Sequence, residues 1–482
     1  MRDIYVGNSW IESKETMKEI NPHNEKVVAE IFLANKEITE LALKKAVLKW
    51  KNIRDKGNIV HEKIELLYKI AKGIDAKKRE LSELVSRENG RPITLTRSDV
   101  DRTVSIFKNT ADLGKASLDG KLFRGDVYPS PKGNENRLIF LSREPLGTVL
   151  AITPFNAPIV QFAFKVAPAI LTGCPAIIKP SPFTSSSTLQ LGEIIQDSGI
   201  EDDLLSILPG GVSVVNQLLE SEAVRVVTFT GSSKVGKEIS KKSATTLKKV
   251  ILELGGADPM LVAEDANIEA AAFTAASGRF SAAGQACNTT KRIFVHRSVS
   301  NEFLRNLLEY LEKMKVGDPL DEKTAIGPVI TEKSLNSLLS MVTQTKKNGG
   351  KIIRGGYRIY EKGFYMDPTV IADEKRFLLK RDVEIFGPIL PLFEFSDYEE
   401  ALNAINSSKY GLQASVFTED IRRGIKIGKA IEAGAVIINE SDRLRWDAYP
   451  FGGVKESGVG REGVLEAIGN YLDQKLFSIL LR

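Results

Sequence analysis

The sequence predicts an α/β protein with more than one domain. Short apolar runs alternate with segments of helical spacing through much of the chain, which is typical of parallel strands covered by helices. The chain has 482 residues, too many for one ordinary hydrophobic core, so we expect two or three domains. Its hydrophobic fraction of 42% and charged fraction of 27% are those of a globular protein.

The first half of the chain combines a helical layer with a sheet. Residues 36–90 have the spacing of amphipathic helices and stop at Asn89-Gly90 and Pro92. Ligands bind at the carboxyl ends of parallel strands, so the residues that follow each strand are candidates for a site. The predicted strands are GTVLAIT (147–153), PAIIK (175–179), LLSIL (204–208), RVVTF (225–229) and KKVILEL (248–254).

A second α/β segment begins near residue 253. A helix is expected near 267–280, and the later runs RIFVH, PILPLFEF, ASVFT and AVIIN predict strands. Between the helical layer and the first sheet, residues 120–145 carry Gly and Pro between short β-like runs, which predicts a hairpin outside the main core. The C-terminal NYLDQKLFSILLR is strand-like and could extend this hairpin or a partner's sheet.

Composition and charge exclude several classes of function. The 67 basic and 62 acidic residues nearly cancel and are interleaved along helices, which argues against a nucleic-acid surface. The N-terminus is charged and no run of about 18 apolar residues occurs, so we expect a cytoplasmic protein without membrane contact. Two cysteines and three unclustered histidines indicate neither a disulfide framework nor a metal site.

Three polar residues lie where a sheet of this kind binds ligands, and each has two interpretations. Cys287, in SAAGQACNTTKR, is either a packed thiol or a nucleophile. Glu253 ends a strand and is either a solvated carboxylate or, in a dry cleft, a general base. Asn156 is either a turn residue or an amide donor to an oxyanion. For the second cysteine, Cys174, we expect only a packing role.

A glycine turn precedes a predicted helix at Phe229-Thr-Gly-Ser232. Backbone amides at such a helix start can face a phosphate. This turn does not have the GxGxxG fingerprint of dinucleotide-binding sites.

Seven short motifs together resemble the aldehyde dehydrogenase superfamily. They occur in the family's order and rough spacing and span nearly the whole chain, so chance does not explain them. The motifs are PFNAP (154–158), KPS (179–181), FTGS (229–232), ELGG (253–256), GQAC (284–287), EIFGP (384–388) and PFGGVKESG (450–458).

The resemblance implies a reaction and assigns its catalytic residues. Cys287 would attack an aldehyde carbonyl as a thiolate, and the side chain of Asn156 with the backbone N–H of Cys287 would hold the oxyanion. Hydride transfer to a nicotinamide would leave a thioester, and Glu253 would activate the water that hydrolyses it. Residues implied to bind the cofactor are Ile152, Thr153, Phe155, Lys179, Ser181, Gly211, Gly231, Ser232, Leu254, Glu384 and Phe386.

The resemblance also implies a domain plan and an oligomer. It gives a Rossmann-type cofactor domain, an α/β catalytic domain and a small β hairpin for oligomerisation, and it implies dimers or tetramers. The expected boundaries are 1–121 with 146–252 for the cofactor domain, 253–447 for the catalytic domain, and 122–145 with 468–482 for the oligomerisation strands.

One departure from the family pattern favours NADP, with NAD also possible. NAD-preferring relatives commonly have a Glu three residues after the lysine that matches Lys179, where it accepts the adenosine-ribose hydroxyls. Here that position is Pro182. A 2′-phosphate therefore meets no like charge there, and Lys179 could pair with it.

By register with the motifs, Phe164, Ser281, Arg445 and Phe451 line the substrate pocket. Succinate-semialdehyde dehydrogenases place arginines at the first two of these positions, and non-phosphorylating glyceraldehyde-3-phosphate enzymes place one where this chain has Ala286. Arg445 suggests a polar pocket for a short hydroxylated or carboxylated aldehyde, with lactaldehyde and glyceraldehyde as the foremost candidates. The alternative is that Arg445 turns outward and caps a loop.

Rival functions make different demands on the same residues. CoA-acylating relatives generally lack the general-base Glu, so Glu253 argues against that branch. A non-catalytic relative would have lost Cys287, Asn156 or Glu253, and all three are present. A cysteine esterase would have no use for the cofactor set of Lys179, Ser232 and Glu384.

Overall fold

The computed structural model describes residues 1–481, and within them it contains fifteen α-helices and twenty strands. The helices are α1 (Lys36–Lys56), α2 (Val60–Ala76), α3 (Lys78–Asn89), α4 (Ile93–Ser117), α5 (Pro158–Thr172), α6 (Ser185–Asp197), α7 (Val212–Glu220), α8 (Ser233–Ala244), α9 (Ile268–Phe280), α10 (Ser300–Lys313), α11 (Glu332–Lys347), α12 (Phe377–Arg381), α13 (Tyr398–Asn406), α14 (Ile421–Ala430) and α15 (Val464–Asn470).

The strands alternate with these helices through most of the chain. They are β1 (Ile4–Val6), β2 (Ser9–Ile11), β3 (Thr16–Ile20), β4 (Val27–Phe32), β5 (Lys121–Arg124), β6 (Arg137–Pro145), β7 (Thr148–Ile152), β8 (Ala176–Lys179), β9 (Leu205–Ile207), β10 (Val224–Thr230), β11 (Lys249–Glu253), β12 (Pro259–Val262), β13 (Arg292–His296), β14 (Lys351–Arg354), β15 (Thr369–Ala372), β16 (Ile389–Phe395), β17 (Gln413–Phe417), β18 (Ala435–Ile438), β19 (Gly458–Val459) and β20 (Leu472–Leu480).

The first large sheet has the strand order β19-β11-β10-β7-β8-β9-β1-β2. Its five central strands, β11 to β9, are parallel, as the alternating pattern predicted, and β19, β1 and β2 add antiparallel edges. From β7 the chain proceeds outward through β8 and β9, then returns to place β10 and β11 on the other side of β7. The strand order therefore reverses at β7, and such a reversal opens a ligand crevice beyond the carboxyl ends of the strands.

Helices cover both faces of this sheet. Along β7, Val149 and Ala151 pack into the core under α2 to α6, whereas Leu150 and Ile152 pack into the core under α1, α7 and α8. Alternate residues of a strand point to opposite faces, so a strand buried on both sides is apolar throughout. This explains why the strands of this sheet were visible in the sequence as continuous apolar runs.

The second large sheet has the order β14-β15-β16-β13-β12-β17-β18 and is parallel except at its β14 edge. Helices α9, α10 and α11 contribute to the core on one face, and α13 and α14 to the core on the other. The predicted second α/β segment is thus confirmed.

A three-stranded antiparallel sheet, β20-β6-β5, contains the predicted hairpin. The C-terminal strand β20 pairs with β6 along its whole length, from Leu472 opposite Pro145 to Leu480 opposite Arg137. Strands β3 and β4 form a separate two-stranded sheet. None of the helices within residues 1–481 is long and apolar enough to cross a membrane.

The sequence analysis missed the long helices α4 and α11, strands β14 and β15, and the N-terminal strands. Helix α4 runs for 25 residues directly after Pro92, which is its N-cap residue. A proline at the start of a helix costs nothing because the first N–H groups have no intrahelical acceptor, so a residue interpreted as a stop also begins the next helix. Strands β1 and β2 have three residues each, too few to show a period.

Arg279, at the end of α9, is a fully buried arginine that joins two loops of the second α/β segment. Its guanidinium donates to the carbonyls of Ile385 and Ile389, both at 2.9 Å, and to that of Gly387. It also donates to Thr289 Oγ1 at 2.9 Å. Each of these acceptors is buried and has no water to replace the arginine.

We expect Arg279→Met to destabilise the protein by about 3 kcal/mol or more, because it leaves several buried carbonyls without a donor. Urea unfolding followed by circular dichroism measures this change. The matched control is Arg422→Met, since the Arg422 side chain is exposed, and we expect it to stay within about 0.5 kcal/mol of wild type. Equal stability of the two variants would contradict the stabilising role of the Arg279 hydrogen bonds.

Candidate active site

A cavity of about 870 Å³ opens at the carboxyl ends of β7, β8, β10 and β11, beside the reversal of strand order. We call it the cofactor cleft. Its lining includes Cys287, Asn156 and Glu253, together with all eleven residues that the sequence analysis assigned to the cofactor. The four residues assigned to the substrate do not line this cavity. The cleft therefore brings the predicted catalytic and cofactor residues together in one place.

The loop before Cys287 has an unusual backbone. Ala282, Ala283 and Gly284 follow one another in the left-handed region, with φ of 54°, 53° and 68°. Residues with a Cβ adopt this region rarely and at a cost, so the surrounding structure must hold the loop. A Cβ on Gly284 would collide with the carbonyl oxygen of Gly387, which explains why glycine stands there.

Hydrogen bonds to Gln285 fix the same loop. Asn156 Nδ2 donates to the Gln285 carbonyl at 3.0 Å, and the buried Gln285 side chain accepts from the N–H of Ile330 at 2.9 Å. The amide of Asn156, at the end of β7, is thereby held against the catalytic loop two residues from Cys287. Donation to an oxyanion is the role that the sequence analysis expected of this amide.

The Cys287 thiol is protonated in the free protein at neutral pH. Burial raises its pKa to about 12, while the Lys291 ammonium lowers it and the carboxylates of Glu253, Asp258 and Glu384 raise it. Lys291 Nζ donates to the Cys287 carbonyl and lies 3.8 Å from Glu384 Oε1. A nucleophilic role thus requires removal of the thiol proton when the cleft is filled.

Glu253, the last residue of β11, has a buried carboxyl group whose two oxygens have no hydrogen-bond partner within residues 1–481. Burial raises its pKa well above the usual value, and the nearby Glu462 raises it further, against the opposing charges of Arg445 and Lys165. An unsatisfied carboxyl with a raised pKa in a cleft has the properties of a general base.

Behind Glu253 lies a buried cluster of charges that the sequence analysis did not single out. Glu462 receives Lys165 Nζ on Oε1 at 2.6 Å and Arg445 Nη2 on Oε2 at 3.0 Å. These two cations hold the pKa of Glu462 at about 2 despite its burial. Lys165 lies in an otherwise apolar stretch of α5, and an isolated lysine in a helix of that kind is the signal that could have indicated a buried partner.

Arg445 points inward, and the alternative of an outward, loop-capping arginine is wrong. Its guanidinium carbon lies 4.1 Å from the ring centroid of Phe164 and 4.0 Å from that of Phe451. Its side chain is 6% exposed. Arg445 therefore contacts two of the other predicted substrate residues. Ser281, the fourth, accepts a hydrogen bond from the guanidinium of Arg443, a residue the sequence analysis overlooked.

The far end of the cofactor cleft carries a buried cation. Lys179, at the end of β8, is buried, and burial lowers its pKa to about 8. No carboxylate within residues 1–481 lies in ion-pair distance of its ammonium group. Pro182 lines the same cleft. The N-cap residue of α8, Ser232, lies there too, so the positive end of that helix faces the cavity.

Two further contacts shape the middle of the cleft. The rings of Phe155 and Phe386 meet edge to face with centroids 5.9 Å apart. Glu384 Oε1 accepts the N–H of Gly256 at 3.2 Å, and a Cβ on Gly255 would collide with the Glu384 carboxylate. The glycines after Glu253 thus let the Glu384 side chain lie against the backbone.

Cys174 has the packing role expected of it. It is fully buried, and its Sγ lies 3.2 Å from the Tyr471 carbonyl oxygen. Burial raises the pKa of the thiol. It has no place in the cofactor cleft.

Comparison with known proteins agrees with this site. Residues 10–477 match the model of the aldehyde dehydrogenase family. The chain is 36% identical to a lactaldehyde dehydrogenase of Methanococcus vannielii, over 98% of each chain. It is 34% identical to a 3-sulfolactaldehyde dehydrogenase of Priestia megaterium, over 99% of this chain and 98% of that one.

Among solved structures, an NADP-dependent glyceraldehyde-3-phosphate dehydrogenase from Bacillus halodurans, complexed with NADP, superposes with a TM-score of 0.94. It is 33% identical, and the match covers 100% of this chain and 99% of that one. The family model, these relatives and the arrangement of Cys287, Asn156 and Glu253 lead to one conclusion. The chain is a member of the aldehyde dehydrogenase family.

Proposed function

We propose that this protein oxidises a short hydroxyaldehyde, such as lactaldehyde or glyceraldehyde, to the carboxylic acid, with NADP as its preferred cofactor and NAD as a possible one. The observation that carries the proposal is a single cleft that holds a thiol, an amide donor and an unpaired carboxyl group at one end and a buried cation at the other. The lactaldehyde and 3-sulfolactaldehyde dehydrogenases among its relatives support the substrate class.

In this proposal the reaction begins at Cys287. Its sulfur attacks the aldehyde carbon, the thiol proton passes to solvent water, and the carbonyl oxygen becomes an oxyanion that the Asn156 amide and the Cys287 N–H stabilise. A bound nicotinamide cofactor would accept the hydride that the thiohemiacetal carbon loses when it becomes a thioester. Glu253 then takes a proton from water as its oxygen attacks the thioester, which releases the acid and restores the thiol.

The surroundings of Glu253 suit the second half of this reaction. A carboxyl group with ordinary acidity would be a weak base at neutral pH, whereas burial and the negative charge of Glu462 make Glu253 more basic. Glu462 keeps its own charge because Lys165 and Arg445 both bind it. The rival CoA-acylating chemistry needs no such base, so the same observation favours hydrolysis by water.

We expect Glu253→Gln to trap the thioester, because glutamine has nearly the same shape but cannot accept the proton from water. The variant should give a burst of about one equivalent of reduced cofactor per site, followed by turnover about 10²- to 10⁴-fold slower than wild type. Stopped-flow absorbance at 340 nm measures the burst, and intact mass spectrometry detects the acyl group on Cys287.

Two controls accompany this experiment. Glu361→Gln changes an exposed glutamate far along the chain and should leave turnover unchanged. Cys287→Ala should abolish both the burst and the acyl adduct. Slow turnover of Glu253→Gln without any burst or adduct would show that Glu253 does not act in hydrolysis.

The residues of the cleft fit an NADP cofactor. Lys179 is a buried ammonium group without an anionic partner, and a phosphate would supply one. Lys234 and Lys242 also line the cleft. Pro182 brings no negative charge that would repel a 2′-phosphate.

We expect Lys179→Met to raise the KM for NADP at least tenfold and the KM for NAD by less, because only NADP carries the additional phosphate. Lys179 has a pKa of about 8 in the free protein, so it loses its charge as the pH rises through 8. The wild-type KM for NADP should therefore rise between pH 7 and 9, and this rise should be absent from Lys179→Met.

Steady-state kinetics with both cofactors across this pH range test the prediction. Lys241→Met, on the exposed side of α8 and outside the cleft lining, is the control and should behave as wild type. A companion variant, Pro182→Glu, should move the preference toward NAD. If Lys179→Met weakened both cofactors equally, the proposed phosphate contact would be disproved.

We also propose the domain plan and oligomer that the sequence analysis expected. Residues 1–121 with 146–252 would bind the cofactor, 253–447 would carry the catalytic loop, and 122–145 with 468–482 would join copies of the chain. Support comes from the small sheet of β5, β6 and β20, on which Leu122 is 72% and Ile479 46% exposed. An apolar surface of this kind is typical of an interface. A cytoplasmic location stays a prediction.

If this sheet joins the subunits, Leu122→Lys with Ile479→Lys should shift the protein from dimers or tetramers to smaller species, because two charges would be buried at the interface. Both residues lie on one face of the sheet, opposite Phe140 and Leu138 of β6. Sedimentation velocity measures the change. Leu247→Lys, at a 91% exposed leucine elsewhere, is the control. An unchanged assembly in the double variant would exclude this face as the interface.

A further inference from the structure

Arginines from other parts of the chain contact the two pocket positions at which the sequence has no cation. Phe164 and Ser281 occupy the positions where succinate-semialdehyde dehydrogenases have arginines. In the structure, the guanidinium groups of Arg445 and Arg102 lie 4.1 and 5.6 Å from the ring centroid of Phe164. The guanidinium of Arg443 donates to Ser281 Oγ. Cationic side chains that the sequence lacks at these two positions therefore lie beside them in the structure.

Arg443 lies against both ends of the catalytic loop. Its guanidinium contacts Ser281, six residues before Cys287, and its carbonyl accepts from the side-chain amide of Asn288, directly after Cys287, at 3.4 Å. The side chain belongs to the segment between β18 and β19, and it is half-buried. A molecule that reaches Cys287 from this side of the loop would pass Arg443.

The other arginines of this region each have an acidic partner. Arg91 pairs with Asp99 at 2.9 Å, Arg102 with Asp447 at 2.6 Å, and Arg445 with Glu462 at 3.0 Å. We call these four side chains, Arg91, Arg102, Arg443 and Arg445, the arginine cluster. Within residues 1–481, Arg443 alone among them has no carboxylate oxygen within 4.0 Å of its guanidinium nitrogens.

The nearest acids, Asp99 and Asp442, influence Arg443 electrostatically without forming an ion pair with its guanidinium group. Asp442, its neighbour in sequence, accepts from Thr290 Oγ1 at 2.9 Å, and burial raises its pKa to about 6. Burial and the charge of Arg91 lower the pKa of Arg443 to about 10, whereas Asp99 and Asp442 raise it. Arg443 is still a cation at neutral pH, in surroundings where an added anion would be favourable.

We propose that Arg443 binds an oxyanion group, such as a sulfonate or phosphate, at the end of the aldehyde substrate that is remote from the reacting carbonyl. A guanidinium group presents several N–H donors in a plane and binds such oxygens by paired, charge-assisted hydrogen bonds. Ser281 accepts one N–H of Arg443 and thereby orients the guanidinium group. Arg445 and Arg102 pack against Phe164 nearby, but each is paired with a carboxylate, so Arg443 is the unpaired cation of the cluster.

This inference rests on the proposed oxidation of short aldehydes and narrows its substrate class. Under this inference, lactaldehyde and glyceraldehyde are substrates, but their derivatives with an acidic group on the third carbon have a higher kcat/KM. The cation that would bind the acidic group is Arg443, because the other three arginines of the cluster are paired with carboxylates.

Matched pairs of substrates test the proposal, because each pair differs only in the acidic group. Lactaldehyde is compared with 3-sulfolactaldehyde, and glyceraldehyde with glyceraldehyde 3-phosphate, so the two pairs distinguish a sulfonate from a phosphate. For at least one pair, we expect wild-type kcat/KM to be at least about tenfold higher for the charged member. Arg443→Met should reduce this preference at least about tenfold, mainly through the KM of the charged member.

Two further variants serve as controls. Arg97→Met removes an exposed arginine of α4 that pairs with Glu322 outside the pocket, and it should keep the wild-type preference. Arg443→Lys keeps the charge without the planar donors and should restore part of the preference. Retained turnover of the uncharged aldehydes shows that a variant is folded.

Inhibition of the wild-type enzyme provides a test that needs no variant. 3-Sulfolactate should compete with lactaldehyde at a concentration at least about tenfold lower than lactate does, because only the former carries the sulfonate. Equal inhibition by the two acids, together with an equal preference in wild type and Arg443→Met, would overturn the proposal. Absence of cofactor reduction with every aldehyde would instead disprove the proposed function.

Discussion

The ionised carboxylate of Glu462, buried between Lys165 and Arg445, is the interaction on which the site depends. A carboxylate without partners would not keep its charge in this interior, and the two cations lower its pKa to about 2. Through Lys165 the cluster reaches Thr230 at the end of β10, at 2.9 Å, and through Arg445 it reaches the rings of Phe164 and Phe451. One buried charge thus links the parallel sheet, the Glu253 carboxyl group and the residues predicted to line the substrate pocket.

The same charge explains how two carboxyl groups close together have different tasks. Glu462 has two cations in contact and stays ionised, whereas Glu253 has no hydrogen-bond partner and becomes more basic. Neighbouring carboxyl groups in a dry site cannot both carry a full charge at low cost. Their different partners decide which group is structural and which is free to take a proton. The protonated state of Cys287 follows from the same lack of water.

The site has cationic side chains in two places, the cofactor cleft and the arginine cluster, and they differ in whether an acidic partner is present. Lys179 is a solitary buried ammonium in the cofactor cleft, whereas the arginine cluster consists mostly of ion pairs around one unpaired member. Burial without a partner makes a cation costly, and a bound anion offsets that cost. The cofactor cleft and the arginine cluster therefore both suit ligands with acidic groups. The loop before Cys287, whose backbone has an uncommon conformation, lies between them.

Much of the fold and of the cleft could be predicted from the sequence alone. Strands buried on both faces are continuous apolar runs, so β7 to β11 were visible, and the residues after them proved to line one cavity. The candidate roles of Cys287, Asn156 and Glu253 could be predicted from their residue types and from the short motifs around them. Only the tertiary structure decided the environments: the inward direction of Arg445, the partnership of Glu462 with Lys165, and the contact of Arg443 with Ser281. The partners of Glu462 lie 17 and 297 positions away from it, and Arg443 and Arg445 lie on an irregular loop that has no hydrophobic periodicity. Sequence patterns do not reveal such contacts. The charge of a buried side chain depends on these contacts and on the extent of its burial.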